Sequence, residues 1–359
     1  MNILAFESSC DETAVAVVRD GRQVLSDAIL SQADMHALYG GVVPEIASRK
    51  HVQAIAALSD KALADAGLTK KDVDAVAVTY APGLIGAVLV GVSFAKSAAY
   101  ALGVPLIPVH HVRGHIAANY LAHPDLEPPF VCLCVSGGTS LLVDVKGYTE
   151  MEILGATRDD AAGECFDKIA RVMGLGYPGG APLDRAAQGG NDKAFSLPRV
   201  HIQDAPLDMS FSGLKTAMLN LIHNAQQKGE ELPVADLAAS FSAAVSEELV
   251  PRTMAAAQAK GYGKVAVVGG VAANSRIRRD LEQACQAAGC TLYLPPLKLC
   301  GDNGSMIGSQ GYYEYLAGTR AGTDLNAYAN REISRPYGTG TAPVFPSPVE
   351  KSVESVHNS

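Results

Sequence analysis

Two histidines four residues apart, His111 and His115, stand in the run PLIPVHHVRGHIAANYLA. On a helix that spacing puts both imidazoles on one face about one turn apart, the placement a single metal ion needs. It also fits a solvated or core-satisfied pair, so context has to decide. VPLIPV reads as a short buried strand, and the histidines begin the helix that follows it. Strand ends of open α/β sheets are where ligands bind. The zinc-protease helix H-E-x-x-H needs a glutamate general base where this chain has Val112. A metal at the pair is therefore expected to orient a substrate rather than to activate a hydrolytic water.

Other residue groups suit a nucleotide. VSGGT, Val135 to Thr139, reads as a strand followed by a glycine turn whose N–H groups could cradle a phosphate, or as a plain hairpin turn. An equivalent early turn is acidic, with Glu7, Asp11 and Glu12 among Ser8, Ser9 and Thr13. Three carboxylates there repel one another unless a cation or a substrate amine lies near. Asp167 lies on a helix and Asp184 follows the GYPGGAP loop with Gly179 and Gly180. Such carboxylates can accept from ribose hydroxyls, or be surface charges. VVGGVAAN ends a strand with Gly269 and Gly270 and leads to Asn274; it serves either a stacked base or a close strand-to-helix turn.

An internal repeat must position these groups. MNILAFESSCDETAVAVVRDG with RQVLSDAIL, and PFVCLCVSGGTSLLVDVKGYTEMEILGATRD, both read as three-strand meanders. VDAVAVTYAPGLIGAVLVGVSFAKSAAYALGVPLIPVHHVRGHIAANYLA and GKVAVVGGVAANSRIRRDLEQACQAAGCTLYLPPLKLCGDNGSMIGSQGYYEYLAG both read strand, helix, strand, helix. Two copies imply an α/β fold of two duplicated lobes with a cleft between them. Residues 1–110 form the first lobe and 111–302 the second, which carries a helical insert over about 157–260. A C-terminal helix within 303–335 is expected to pack back on the first lobe. By the repeat, Asp302 in GDNGS is the partner of the histidine pair; the alternative is an N-cap. Two His and one Asp make a facial triad suited to Fe(II) or Zn(II).

Composition sets limits on the class. The chain has 359 residues, 48% of them hydrophobic, and a formal charge of −8, which argues against a general nucleic-acid coat but not against a local patch such as Arg276, Arg278 and Arg279. Seven cysteines without a C-x-x-C pair indicate neither a disulfide frame nor a cysteine zinc site, and point to the cytoplasm. No secretion signal and no membrane span are expected. Residues 336–359, rich in Pro, Ser and Thr, are expected to be a disordered tail.

The motifs ESSCDETAVAVV, YGGVVPEIASRKH, APGLIGAVLVGVSFAKSAA, HHVRGH, VSGGT, DDAAGECFDKIARVMGLGYPGG, FSGLKTA, VVGGVAAN and CGDNGSMI, in unbroken order, resemble the bacterial TsaD family. These are tRNA N6-adenosine threonylcarbamoyltransferases, formerly classed as O-sialoglycoprotein endopeptidases. The resemblance implies an actin-like, sugar-kinase-like and Hsp70-like two-lobed fold. It implies a metal on His111, His115 and Asp302, and substrate contacts from Cys134, Val135, Ser136, Gly137, Gly138, Asp167, Gly180, Asp184 and Asn274. The activity implied is transfer of a threonylcarbamoyl group from threonylcarbamoyl-AMP to the adenine beside the anticodon of tRNA. The acidic turn itself offers Asp11 or Glu12 to assist proton removal. Implied partners resemble TsaB and the ATPase TsaE, with a separate synthase supplying the adenylate. Two residues depart from the family pattern: Thr139 follows Gly138 where His or Asn is usual, and Arg113 stands where an acidic residue is common between the histidines. A metallopeptidase, or a nucleotide-switched chaperone-like protein on the same fold, are the rival readings.

Overall fold

The computed structural model describes residues 1–200, 202–335 and 337. The first copy runs β1 (Asn2–Glu7), β2 (Glu12–Arg19), β3 (Gln23–Ser31), α1 (Ala33–Ala37), α2 (Pro44–Asp65), β4 (Ala75–Ala81), α3 (Ile85–Leu102), β5 (Leu106–His110) and α4 (His111–Ala122). The second runs β6 (Phe130–Val135), β7 (Ser140–Val145), β8 (Met151–Ala156), α5 (Ala162–Val172), α6 (Gly180–Ala186), α7 (Ser212–Lys228) and α8 (Val234–Lys260). It ends with β9 (Lys264–Val268), α9 (Ser275–Ala288), β10 (Thr291–Tyr293) and α10 (Gly304–Leu316).

Each copy forms one five-stranded sheet, ordered β3-β2-β1-β4-β5 and β8-β7-β6-β9-β10. In both, the meander strands pair antiparallel and the later two join parallel. The equivalence read from sequence is thus present strand for strand. β4 is buried at all seven residues, as a central strand covered on both faces must be.

The closing helices cross over. α10 packs on β1, β2 and β5 of the first sheet, while α4 packs against β9 and β6 of the second, and the two helices lie against each other. Val112, Ile116 and Tyr120 of α4 share one core with Phe130, Cys132 and Val268. Met306 and Ile307 of α10 share another with Ile3, Ala5 and Val109. Close approach of the helices depends on Gly114, where a Cβ would stand 2.6 Å from Ile307 Cδ1.

Among the described residues one helix, Ile85–Leu102, is long and apolar enough to cross a membrane, which the sequence reading had not expected. Its apolar content has a packing cause: Ala87, Val88, Gly91, Val92, Ala95 and Ala99 are buried, and α3 packs on β4 and α2. At α7, no side chain of its own caps the start; Asp159 Oδ1 accepts from Phe211 N–H at 2.8 Å and Ser212 N–H at 3.1 Å. Lys215, where a capping box would place a carboxylate, pairs with Asp160. Of the expected tail, only Tyr337 lies within the described residues; its ring meets Tyr80 edge-on at 5.4 Å.

Candidate functional site

Crossing α4 over α10 brings their N-termini together, and with them the three residues of the expected triad. One ligand atom from each of His111, His115 and Asp302 lies within 4.8 Å of the others. Asp302 Oδ1 is 3.1 Å from His115 Nε2 and 3.5 Å from His111 Nε2. The N-cap alternative for Asp302 falls away, because Asn303 holds that post: its Oδ1 accepts from Met306 N–H at 2.8 Å. Asp302 is left free to face the histidines.

Glu7, which the sequence placed only in an acidic turn, is fully buried and orients His111. His111 Nδ1–H donates to Glu7 Oε2 at 3.0 Å, with Ser9 Oγ 3.2 Å from the same nitrogen. Thr79 Oγ1 also donates to Glu7 Oε2 and Ser9 N–H to Oε1. A carboxylate can only accept, so Nδ1 carries a proton, and Nε2 is the ring nitrogen that faces Asp302. A carboxylate behind a histidine is the usual support of a metal-ligating imidazole. The missing sequence signal was a long-range one: Glu7 ends β1, beside β4, and meets His111 only through the sheet.

The electrostatics of the cluster favour a positive charge among these carboxylates. Burial disfavours ionised Glu7, yet His111 beside it holds its pKa below the ordinary value. Burial likewise opposes charge on Asp302, but His111 and His115 hold it down at about 2. His111, despite burial, is raised to about 9 by Asp302 and Glu7. Glu12 is pushed up to about 9 by burial, then by Asp302 and Asp11. The donor set fits a divalent cation on a further observation: His115 is 3% exposed, its Nδ1 has no partner, and its Nε2 meets only the Asp302 carboxylate, at 3.1 Å. Buried polar atoms left so are rare, and coordination through Nε2 would satisfy the one that faces Asp302.

Across the cleft the second lobe presents glycine backbone. Gly137 and Gly138 are exposed at the β6–β7 turn. A Cβ at Gly137, Gly138, Gly180 or Gly270 would meet nothing within 4 Å, so these glycines leave room that the protein itself does not fill. Gly269 differs, with φ of +93° and a Cβ position 2.3 Å from Val135 O; close packing of β9 requires it. Ser136 N–H donates to Thr139 O at 2.8 Å, closing the turn through backbone. Cys134 and Val135 are buried in strand β6, and any contact from them is through backbone.

Asp167 Oδ1 accepts from Gly179 N–H at 2.7 Å, and Asp184 Oδ1 from Ser275 Oγ at 2.8 Å, leaving the second oxygen of each carboxylate. Asn274 caps α9 through Oδ1, while its buried Nδ2 has no partner. A cavity of about 410 Å³ is lined by Asp184, Gln188, Ser242, Ser275 and Arg276. Burial raises the Asp167 pKa, and the charge of Asp11 adds to the shift.

Two expectations about cations change. Arg113 does not alter the charge around the histidines: it lies on the other side of α4, bonded to Glu314 at 2.8 Å and to Ile333 O. The basic patch is largely neutralised, since Arg276 pairs with Asp192 and Asp280, and Arg278 donates to Ala272 O and Pro295 O. Of the three, Arg279 alone is exposed.

Comparison with known proteins identifies the family and the fold. A family model for TsaD, tRNA N6-adenosine threonylcarbamoyltransferase, matches residues 23–309. The curated tRNA N6-adenosine threonylcarbamoyltransferase of Clostridium botulinum (strain 657 / Type Ba4) is 52% identical over 333 residues, 93% of this chain and 98% of the relative. That of Moorella thermoacetica is 55% identical over 326 residues, 91% of this chain and 95% of the relative. Among solved structures, full-length HypF in its phosphate- and nucleotide-bound form has a TM-score of 0.57 at 15% identity, over 88% of this chain and 46% of that one. Component A of (R)-2-hydroxyglutaryl-CoA dehydratase from Acidaminococcus fermentans has a TM-score of 0.51 at 16% identity, over 88% and 98%. These two likenesses show the fold, the actin-like, sugar-kinase-like and Hsp70-like pair of α/β lobes. The chain belongs to the TsaD family and is a transferase that places a threonylcarbamoyl group on the N6 amine of adenosine in tRNA.

Proposed function

We propose that this transfer is metal-assisted, takes threonylcarbamoyl-AMP as donor, and acts on the adenine beside the anticodon. The observation that carries the reading is the convergence of the buried His115 ring with Asp302 and His111, one ligand atom of each lying within 4.8 Å of the others. Together the three would hold one divalent cation, Fe(II) or Zn(II), which when bound supplies a Lewis acid to polarise the carbamoyl carbonyl. Glu7 fixes the His111 tautomer for that role.

The open glycine wall suits the donor's AMP portion. Backbone N–H groups at Gly137, Gly138 and Gly180 can approach phosphate because no side chain intervenes, while Ser136 N–H closes the turn on Thr139 O. Asp167 and Asp184 keep one oxygen each for ribose hydroxyls, and Asn274 keeps an unpaired amide N–H group. Cys134 and Val135 supply the strand end that carries the turn. An aryl amine is a weak nucleophile, so holding donor and acceptor in line supplies much of the rate. Asp11 is the candidate to receive the amine's proton, whereas Glu12, its carboxyl pushed up to about 9, could do so only with a cation beside it.

Because few arginines of the expected patch are free, phosphate contacts to tRNA fall largely to protein partners. Partners resembling TsaB and TsaE, and a separate synthase for the adenylate, complete the reading, which places the protein in the cytoplasm with its tRNA substrate. The test is nucleoside mass spectrometry on unmodified tRNA incubated with the protein, these partners, threonine, bicarbonate and ATP. Modified adenosine is expected with the wild type. His111→Ala should lower the rate by on the order of a thousandfold; an unchanged yield from that variant would sink the metal role.

A further inference from the structure

The loop between α1 and α2 bridges the two lobes at the cleft mouth. Gln32 N–H donates to Asp11 O at 3.0 Å, so α1 starts beside the acidic turn. Its five residues advance only about 7.5 Å at ~1.5 Å each. Gly41 N–H to His36 O at 3.2 Å and Val43 N–H to His36 Nδ1 at 3.3 Å then fix the loop. From the other lobe, Arg171 Nη1 donates to Gly40 O at 3.0 Å. Arg171 lies one turn beyond Asp167 on α5. Hydrogen bonds therefore run from Asp11 through α1 and Gly40 to Arg171, beside Asp167, and the loop is the outer rim of that bridge.

Two large side chains on that rim face solvent, Leu38 at 83% exposure and Tyr39 at 60%. Scattered exposed apolar residues need no explanation, but an adjacent pair at the entrance of a substrate cleft does. The glycine pair that follows has φ of +73° and +157°, and a Cβ on Gly41 would meet nothing within 4 Å. A flat ring could settle there against backbone. The established reaction says what passes this rim: an adenine whose amine must reach the cleft. In an RNA loop bases stack on their neighbours, and a protein that reads or modifies one splays it out and offers aromatic surface instead.

We propose that Tyr39, shouldered by Leu38, is the stacking platform for a nucleobase of the tRNA loop that carries the target adenosine. The proposal deepens the transferase reading and rests on it. Stacking on an aromatic side chain is worth about tenfold to a hundredfold in affinity per base.

The experiment uses the complete enzyme with its partners and compares Tyr39→Ala, Tyr39→Phe and Leu38→Ala. Tyr39→Ala should raise the KM for tRNA about tenfold or more and leave the KM for threonylcarbamoyl-AMP unchanged. Tyr39→Phe should behave as wild type, and Leu38→Ala should fall between. A tRNA with 2-aminopurine next to the target adenosine should show fluorescence quenching on binding wild type and lose it with Tyr39→Ala. An unchanged tRNA KM and unchanged quenching in Tyr39→Ala overturn the proposal. So does an activity loss cured by raising the partner-protein concentration, which would assign the rim to a protein interface. If wild type itself leaves adenosine unmodified, the transferase reading fails, and the quenching comparison still decides the stacking.

Discussion

The first turn of each copy occupies the same place in the same meander, yet the two have opposite characters. Between β1 and β2 the turn is acidic, largely buried, and bonded to His111 through Glu7 and Ser9. Between β6 and β7 it is two exposed glycines with open space where side chains would stand. One turn is filled by its own protein; the other is left for something else. Duplication kept the scaffold and let the chemistry diverge at one equivalent point on each sheet. Donor and metal can then face each other across a cleft without either site compromising a core.

The acidic turn gives the largest effect for a single conservative change. Glu7→Gln keeps the shape but loses the charge behind His111, and should weaken metal affinity about ten- to a hundredfold. Metal content after dialysis against a chelator reads this; full retention would reduce Glu7 to a structural residue. The glycine turn calls for a paired change. Gly138→Val should raise the KM for the adenylate about tenfold with the melting temperature unchanged, because only ligand space is filled. Gly269→Ala should do the reverse, costing about 1–3 kcal/mol of stability from its backbone conformation and the contact with Val135 O. If both variants only destabilise, the contrast between the turns collapses. The smallest effect belongs to Thr139→Asn. Since the turn closes through Thr139 O, restoring the usual family residue should shift the adenylate KM by less than about threefold.

The sequence revealed what periodicity and repetition can carry. The order of strands and helices, the helix starting at His111, and Asp302 as the residue facing the histidine pair all follow from two copies of one pattern. Contacts that cross the fold were out of reach. Glu7 and His111 are brought together by strand pairing and not by spacing. The arginine patch looked free because its neutralising partners, such as Asp192, come from a different element. The N-cap alternative for Asp302 could be dismissed only once the backbone put Asn303 there.

The crossing of α4 and α10 also governs how the site comes into being. Each copy's closing helix finishes the other copy's core. A ribosome that has released only the first copy has produced His111 and His115 but neither the sheet that covers α4 nor the carboxylate that faces them. Separated halves, cut in the connection between α4 and β6, should gain metal affinity only on reassociation. Ion capture is thus a late assembly step, and retained metal reports that both lobes have closed on one another.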